Sequence, residues 1–252
     1  MSPQDALAIF AAGLAAGTVN VIVGSGSLIT FPTLLALGYP PVLANVSNTV
    51  GLVPGSVSGV VAYRRELVGQ RRRVLRLGTA SLLGGLSGAV LLLSLPHSVF
   101  KAAVPVLIGL AALWMAAQPR ISAGLERRGR RPVHGGAGLM TGVFLTGVYG
   151  GYFGAAQGVI LIALLAIFID DDLQRLNGTK NVLALIANGV AGLLFIATTH
   201  ISWSVAGLIA AGSIIGGQVG GRYGRRLPAP LLRGVIVIVG LGVAVGLAIE
   251  WH

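Results

Sequence analysis

The chain has no cysteine, which excludes disulfides, thiolate nucleophiles and Cys-ligated metals. Charge is scarce as well. Of 252 residues, 18 are Lys or Arg and 7 are Asp or Glu, 10% in all, whereas a soluble domain carries about a quarter to face water. A surface so short of charge needs lipid as its solvent. The hydrophobic share of 54% and a mean hydropathy of +0.86 point the same way. No Asp or Glu stands inside an apolar run, so a proton relay through buried carboxylates has no support. A nucleophile elbow, a P-loop and a zinc motif are also missing. Neither an enzyme nor a bound cofactor is expected. His97, His134, His200 and His252 lack metal-ligand spacing. Asp170, Asp171 and Asp172, with no further acidic cluster, read as a solvated turn or helix cap rather than a metal site.

Glycine, in contrast, is abundant at 39 residues, which suits close helix approach and tolerated helix breaks in a bilayer. The net charge of +11 would suggest nucleic acid in a soluble protein. Here most Arg residues lie in short clusters between apolar runs, as topology signals do, so no nucleic-acid partner is expected. The first apolar run lacks the basic leader of a cleavable signal and continues too far for one, so it is read as retained. Trp114, Trp203 and Trp251 fall near helix ends, where interfacial anchors belong.

Between Asp5 and Arg64 lie 58 residues without a formal charge, interrupted by Gly24-Ser25-Gly26-Ser27 and by Gly38-Tyr39-Pro40-Pro41. Such clusters punctuate helices, and they divide the run into Ala6–Val23, Leu28–Leu37 and Val42–Tyr63. The middle piece rises only about 15 Å, half of a bilayer core. An Arg-rich loop at 64–76 precedes helices expected at Leu77–Leu95 and Ala102–Ala117, and a second basic loop follows at 120–131. The pattern then restarts. Gly135–Ile169 carries no formal charge and is broken at Gly150-Gly151 and at Gly154–Gly158. Helices are expected near Asn181–Thr198, Ser202–Gly221 and Leu231–Glu250.

Each half therefore begins with a broken apolar segment. It continues through a turn into an amide- and hydroxyl-rich helix start, then two further helices. Sliding one half by about 130 residues superposes these features, as in secondary transporters built from repeats. The expected organisation is an all-α polytopic membrane protein. It consists of a first membrane repeat at 1–117, a basic cytoplasmic linker at 118–134 and a second repeat at 135–252. If each broken segment crosses once, Lys and Arg divide 11 to 7 between the two faces. If each returns to its own side, 17 share one face and Lys101 stands alone on the other. The positive-inside rule prefers the second arrangement. It makes the basic loops cytoplasmic and, with three full spans per half, inverts the repeats.

Backbone broken at membrane depth survives where protein or a water-filled cavity meets it, and the free N–H groups at a helix N-terminus favour anions. Two such breaks meeting near the midplane form a candidate anion site. The first contributes Ser25, Gly26 and Ser27, the second Gly154, Gln157 and Gly158. The helix starts add Asn45, Ser47, Asn48 and Thr49, then Asn177, Thr179, Lys180 and Asn181. Hydroxyls of this kind also serve as packing glue. Lys180 has a functional reading, a cation held for the substrate, and a bland one, a snorkelling interfacial lysine or one paired with Asp170–Asp172.

The run from Gly24 to Pro32 with Ala44–Thr49, and the run Gly150–Val159 with Leu176–Asn181, resemble the two repeats of the TauE/SafE sulfite exporter family. The resemblance covers nearly the whole chain. It implies a bacterial inner-membrane permease for sulfite, organosulfonates or related sulfur anions, driven by an ion gradient. Ser25 and Ser27, and Ala155, Ala156 and Gln157, stand where such proteins often carry longer glycine runs. The implied partners are a small anion, the lipid bilayer and a coupling ion, and a homo-oligomer is compatible with all of this. A passive anion channel is the rival reading, because inverted halves line pores too. A membrane enzyme or assembly subunit is a third.

Overall fold

In a computed structural model of the chain, residues 1–127, 136–223, 234, 237–238, 241–246 and 249 are described. Among them every regular element is a helix. Ser2 and Asp5 form a capping box that starts α1 (Pro3–Ile22). After the first break come α2 (Ser27–Ala36) and α3 (Pro41–Ala62), the latter opened by a proline that fits a first helical position. Next are α4 (Arg71–Ser94), α5 (His97–Arg127) and α6 (Ala137–Tyr152). The second break leads to α7 (Gln157–Phe168), α8 (Leu173–Thr198) and α9 (Trp203–Tyr223). Residues 241–246 are helical as well. They fall in the expected Leu231–Glu250 helix, much of which lies outside the described residues.

Three expectations need correction. Helix α4 begins at Arg71 rather than Leu77, because arginine is a good helix former and Arg71, Arg72 and Arg76 project outward. Helix α5 begins at His97 rather than Ala102 and runs to Arg127. The helix thus takes in the first ten residues of the expected linker 118–134, and 128–134 lies outside the described residues. Helix α8 begins at Leu173, where Asp172 accepts from the N–H groups of Gln174 and Arg175. The segments Asn45–Thr49 and Asn177–Asn181 are therefore not helix starts. Each begins at the fifth residue of its helix.

Among the described residues, five helices are long and apolar enough to cross a bilayer: α1, α4, α8, the Trp203–Arg222 stretch of α9 and the His97–Ala117 stretch of α5. Leu82, Leu83, Leu86 and Val90 on α4 and Leu110 and Leu113 on α5 are exposed, which suits a lipid-facing surface. Lipid tails provide no hydrophobic drive between helices, so contact must come from small residues and hydrogen bonds. Gly13 and Gly17 of α1 pack on Ile209 and Ser213 of α9, and Gly51 and Gly55 of α3 pack on the same two residues. Gly84 and Gly88 of α4 lie against Gly147 and Val148 of α6, and Gly85 against Ala187 of α8.

These registers give directions. Residue numbers rise together along α1 and α9 and along α3 and α9, so α1 and α3 point the same way. The chain between them must come back, and α2 brings it. Likewise α6 and α8 both run with α4, and α7 is the return. Against one another α3 and α8 are antiparallel: Tyr63 at the end of α3 reaches Gln174 at the start of α8, and Val50 and Val53 meet Gly192.

The same order of elements recurs. Ser27 and Gln157 open α2 and α7, 130 positions apart. Helix α7 has 12 residues against 10 in α2, and from there the offset is 132: Pro41 with Leu173, and Arg71 with Trp203. Buried hydrogen bonds repeat at that offset. Ser81 donates to Leu183 O at 2.6 Å and Ser213 to Gly51 O at 3.1 Å. Thr179 donates to Gln70, while Ser47 accepts from the N–H of Ser202. Among the described residues, the matched helices α1 and α6, α3 and α8, and α4 and α9 run in opposite directions.

Candidate functional site

The two breaks touch. Gly24 and Gly154 both have left-handed backbone, φ 89° and 80°, where glycine is unstrained. The N–H of Gly158, in the first turn of α7, donates to Gly24 O at 2.9 Å. A Cβ on either Gly24 or Gly158 would collide with the other's backbone. Ala156, just before α7, also adopts a left-handed conformation at φ 59°, a strain of about 1–2 kcal/mol for a residue with a side chain. Phe31 and Phe153 brace the breaks edge to face at 5.2 Å between ring centroids.

Helix α1 ends inside the protein, so its last carbonyls need partners. They come from α8. Lys180 is 1% exposed, and its Nζ donates to Val21 O at 3.2 Å and to Asn20 O at 3.5 Å. Asn177 and Asn181 approach Val21 O at 3.4 Å each. One carbonyl offers two lone pairs, and the amide contacts are long, so the ammonium is the principal partner. Its charge also complements the negative end of the α1 dipole. The alternative pairing with the aspartates does not form. Asp171 is bound by Arg73 at 2.6 Å and Arg175 at 3.0 Å. Burial works to raise its carboxyl, but Arg73, the N–H of Asp172 and the two guanidinium charges outweigh this and hold it below the ordinary value.

A cavity of about 10 Å³ lies beside Nζ, with walls that include Asn20, Val21, Gly24, Ser56, Lys180 and Asn181. That is room for one water. Asn20 ties the parts together. Its side chain donates to Ser56 at 3.3 Å and faces the N–H of Gly26 at 3.5 Å, while its carbonyl meets Lys180.

The remaining expected site residues divide. Asn48 is fully buried, donates to Ser27 at 3.1 Å and accepts from Thr30, so it fastens the start of α2. Asn45 donates to Tyr152 O at 3.0 Å, and its side-chain oxygen has no partner. Gln157 accepts from Asn188 at 3.2 Å, and its side-chain nitrogen has no partner. Ser25 turns away from the cavity toward Met115. Thr179 and Ser47 are occupied by Gln70 and Ser202, and Thr49 is buried. Thus Lys180 and Asn181 share the cavity wall with Gly24, which lay outside the expected set, and Asn177 is on the same carbonyl, whereas Ser25, Ser47 and Thr179 serve helix packing. Asn20, Ser56 and Asn188 were missed. Asn20 had a visible signal, an amide inside a charge-free run four residues before the break.

Broken helices that meet inside a membrane bundle are a construction that secondary transporters use, and the comparison with known proteins points the same way. The sulfite exporter TauE/SafE family matches residues 9–247. The chain belongs to that family. A probable membrane transporter protein of Haemophilus influenzae is 30% identical over 236 residues, covering 93% of this chain and 91% of the relative. A probable membrane transporter protein, ORF9, of a Sinorhizobium species is 28% identical, covering 95% and 90%. The probable membrane transporter protein YfcA of Escherichia coli is 27% identical, covering 100% and 93%. No solved structure matches. This TauE/SafE member is accordingly an integral membrane protein and a membrane transporter, with the touching breaks and the α1–α8 junction as its distinctive interior.

Proposed function

We propose that this family member is a secondary transporter of small anions, with sulfite, organosulfonates or related sulfur oxyanions as substrates. In this reading it sits in the inner membrane with its basic loops cytoplasmic. The observation that carries the reading is the contact of the two breaks at Gly24 and Gly158 beside the buried ammonium of Lys180. Positive potential converges there from the first turns of α2 and α7 and from Nζ, and the unpartnered side-chain nitrogen of Gln157 adds a donor. The cavity of about 10 Å³ is too small for an oxyanion, so the breaks separate to admit one. A gated site of this kind favours alternating access over an open pore. The opposed directions of matched helices support inverted repeats, 1–117 and 135–252 joined through 118–134. No catalytic step is assigned.

Counterflow in proteoliposomes tests the reading. Unlabelled internal sulfite or sulfoacetate should accelerate uptake of the same labelled anion, while chloride should not. Conductance without acceleration would instead establish a channel. Among thermal-shift ligands, the transported anion should raise the melting temperature. Lys180→Met should weaken that shift at least tenfold in apparent affinity, an expectation drawn from the loss of a charged donor worth about 1.5–3 kcal/mol.

A further inference from the structure

In transporters with broken helices, the carboxyl end of a half-helix presents unpaired carbonyls, and coupling Na⁺ or H⁺ is held there. Here that end belongs to α1, and the oxygens are Asn20 O and Val21 O. Ser56 and the side-chain amides of Asn20 and Asn181 complete the surroundings. The position is filled by Lys180 Nζ, at 3.5 and 3.2 Å from the two carbonyls. Among the described residues Lys180 has no carboxylate partner; what offsets its charge is the end of α1. The adjoining space of about 10 Å³ leaves no room for a hydrated ion beside the ammonium.

We propose that Lys180 is a tethered coupling cation, standing where sodium would bind at the end of α1, so that the ion exchanged with solution is the proton on Nζ. The inference rests on the transporter reading above and specifies its driving ion. The proton passes from Nζ to a water in the cavity and leaves as hydronium, and the nitrogen keeps the electron pair. On reprotonation from the other side the steps reverse. A neutral amine no longer offsets the carbonyl charges of α1, so the α1–α8 junction loosens next to Gly24, where the two breaks meet. The matching position in the first half is Asn48, so among the described residues Lys180 has no second such cation as counterpart, and one proton moves per cycle.

Other groups on the elements packed around α8 are engaged elsewhere. Tyr63 donates to Gln174, Tyr149 donates to Ala155 O, Arg73 and Arg175 hold Asp171, and Asp172 caps α8. Tyr152 stands at the end of α6 and packs on Phe100. Arg71, Arg72, Arg76 and Arg222 are exposed, Asp5 is held in the capping box of α1, and Glu66 lies over Gly178, two residues before Lys180.

The deciding measurement is melting of the purified full-length protein in NaCl against choline chloride at equal ionic strength, for the wild type, Lys180→Gln and Lys180→Ala. The wild type should show no sodium-specific shift. Either variant, with the carbonyls freed, should gain a sodium-specific rise of a few degrees. A sodium-specific rise in the wild type, or none in both folded variants, overturns the proposal. The second arm uses proteoliposomes loaded with a pH dye and a gradient of sulfoacetate, which is fully ionised at neutral pH and carries no exchangeable proton. Linked proton flux should persist in choline and fall at least tenfold in Lys180→Gln. Flux that survives the substitution, or transport that needs sodium, overturns it. If no anion shows counterflow, the substrate reading fails, and the melting arm still decides the role of Lys180.

Discussion

Asn48 and Lys180 occupy the same place in two matched helices, eight residues into α3 and α8, yet they do opposite things. Asn48 is neutral and closes on its own half, holding Ser27 and Thr30 at the start of α2. Lys180 is cationic and reaches across to the other half, holding the end of α1. One architecture thus carries a lock on one side and a charge on the other. The difference teaches that matched backbones need not be matched in function. What moves in a transport cycle is expected on the side with the charge.

Exchanging these residues is the severest test of that comparison. Asn48→Lys buries a second ammonium among partners already committed to one another, at a cost of about 3 kcal/mol or more. Lys180→Asn removes a charge and leaves Asn177 and Asn181 to serve Val21 O, so a cost of only about 1–2 kcal/mol is expected. Melting in detergent should rank them in that order, and equal losses would mean the two positions are interchangeable. A milder probe uses a pair that does match. Ser81→Ala and Ser213→Ala each delete one buried interhelical hydrogen bond, worth about 0.6–1.5 kcal/mol in a membrane. Their losses should agree within about 0.5 kcal/mol; a wide gap would show that the likeness of the halves is geometric only.

The smallest effect is expected at the ends of the turns. Helix α3 starts on Pro40-Pro41, whereas α8 starts on Asp172 with Asp171 clamped by Arg73 and Arg175. These side chains are partly exposed, so Asp171→Asn should cost less than about 1 kcal/mol at neutral pH. The Asp171 carboxyl lies below its ordinary value of 3.8, so its contribution is present above that value. It is lost as pH falls through the lower folded value. Acid melting curves of wild type and Asp171→Asn should therefore begin to approach each other only below about pH 4 and meet below the folded value, and curves that stay apart there would rule out the clamp as the source.

Much of this was legible in the chain itself. The breaks at Gly24–Ser27 and Gly154–Gly158, the amide-rich segments after them and their spacing all stand out, because glycine and amides are conspicuous in an apolar run. Helix bounds were less legible where charge was mistaken for loop, as at Arg71–Arg76, or where a cap lay upstream of the conspicuous residues, as at Asp172. Asn20, Ser56 and Asn188 escaped notice because one polar residue in a span looks like packing glue until its neighbours are known.

Composition alone determined that lipid surrounds this protein, since 10% charge cannot clothe it in water. Local chemistry alone determined where its helices break, since glycine and proline act on the backbone within a few residues. Only the tertiary structure decided that Lys180 turns inward. A lysine near a helix end reaches the interface or the interior with equal ease, and the unpaired carbonyls that draw it in lie 160 residues away at the end of α1. The contact of Gly24 with Gly158 has the same origin: it exists because helices from opposite halves bring two breaks together.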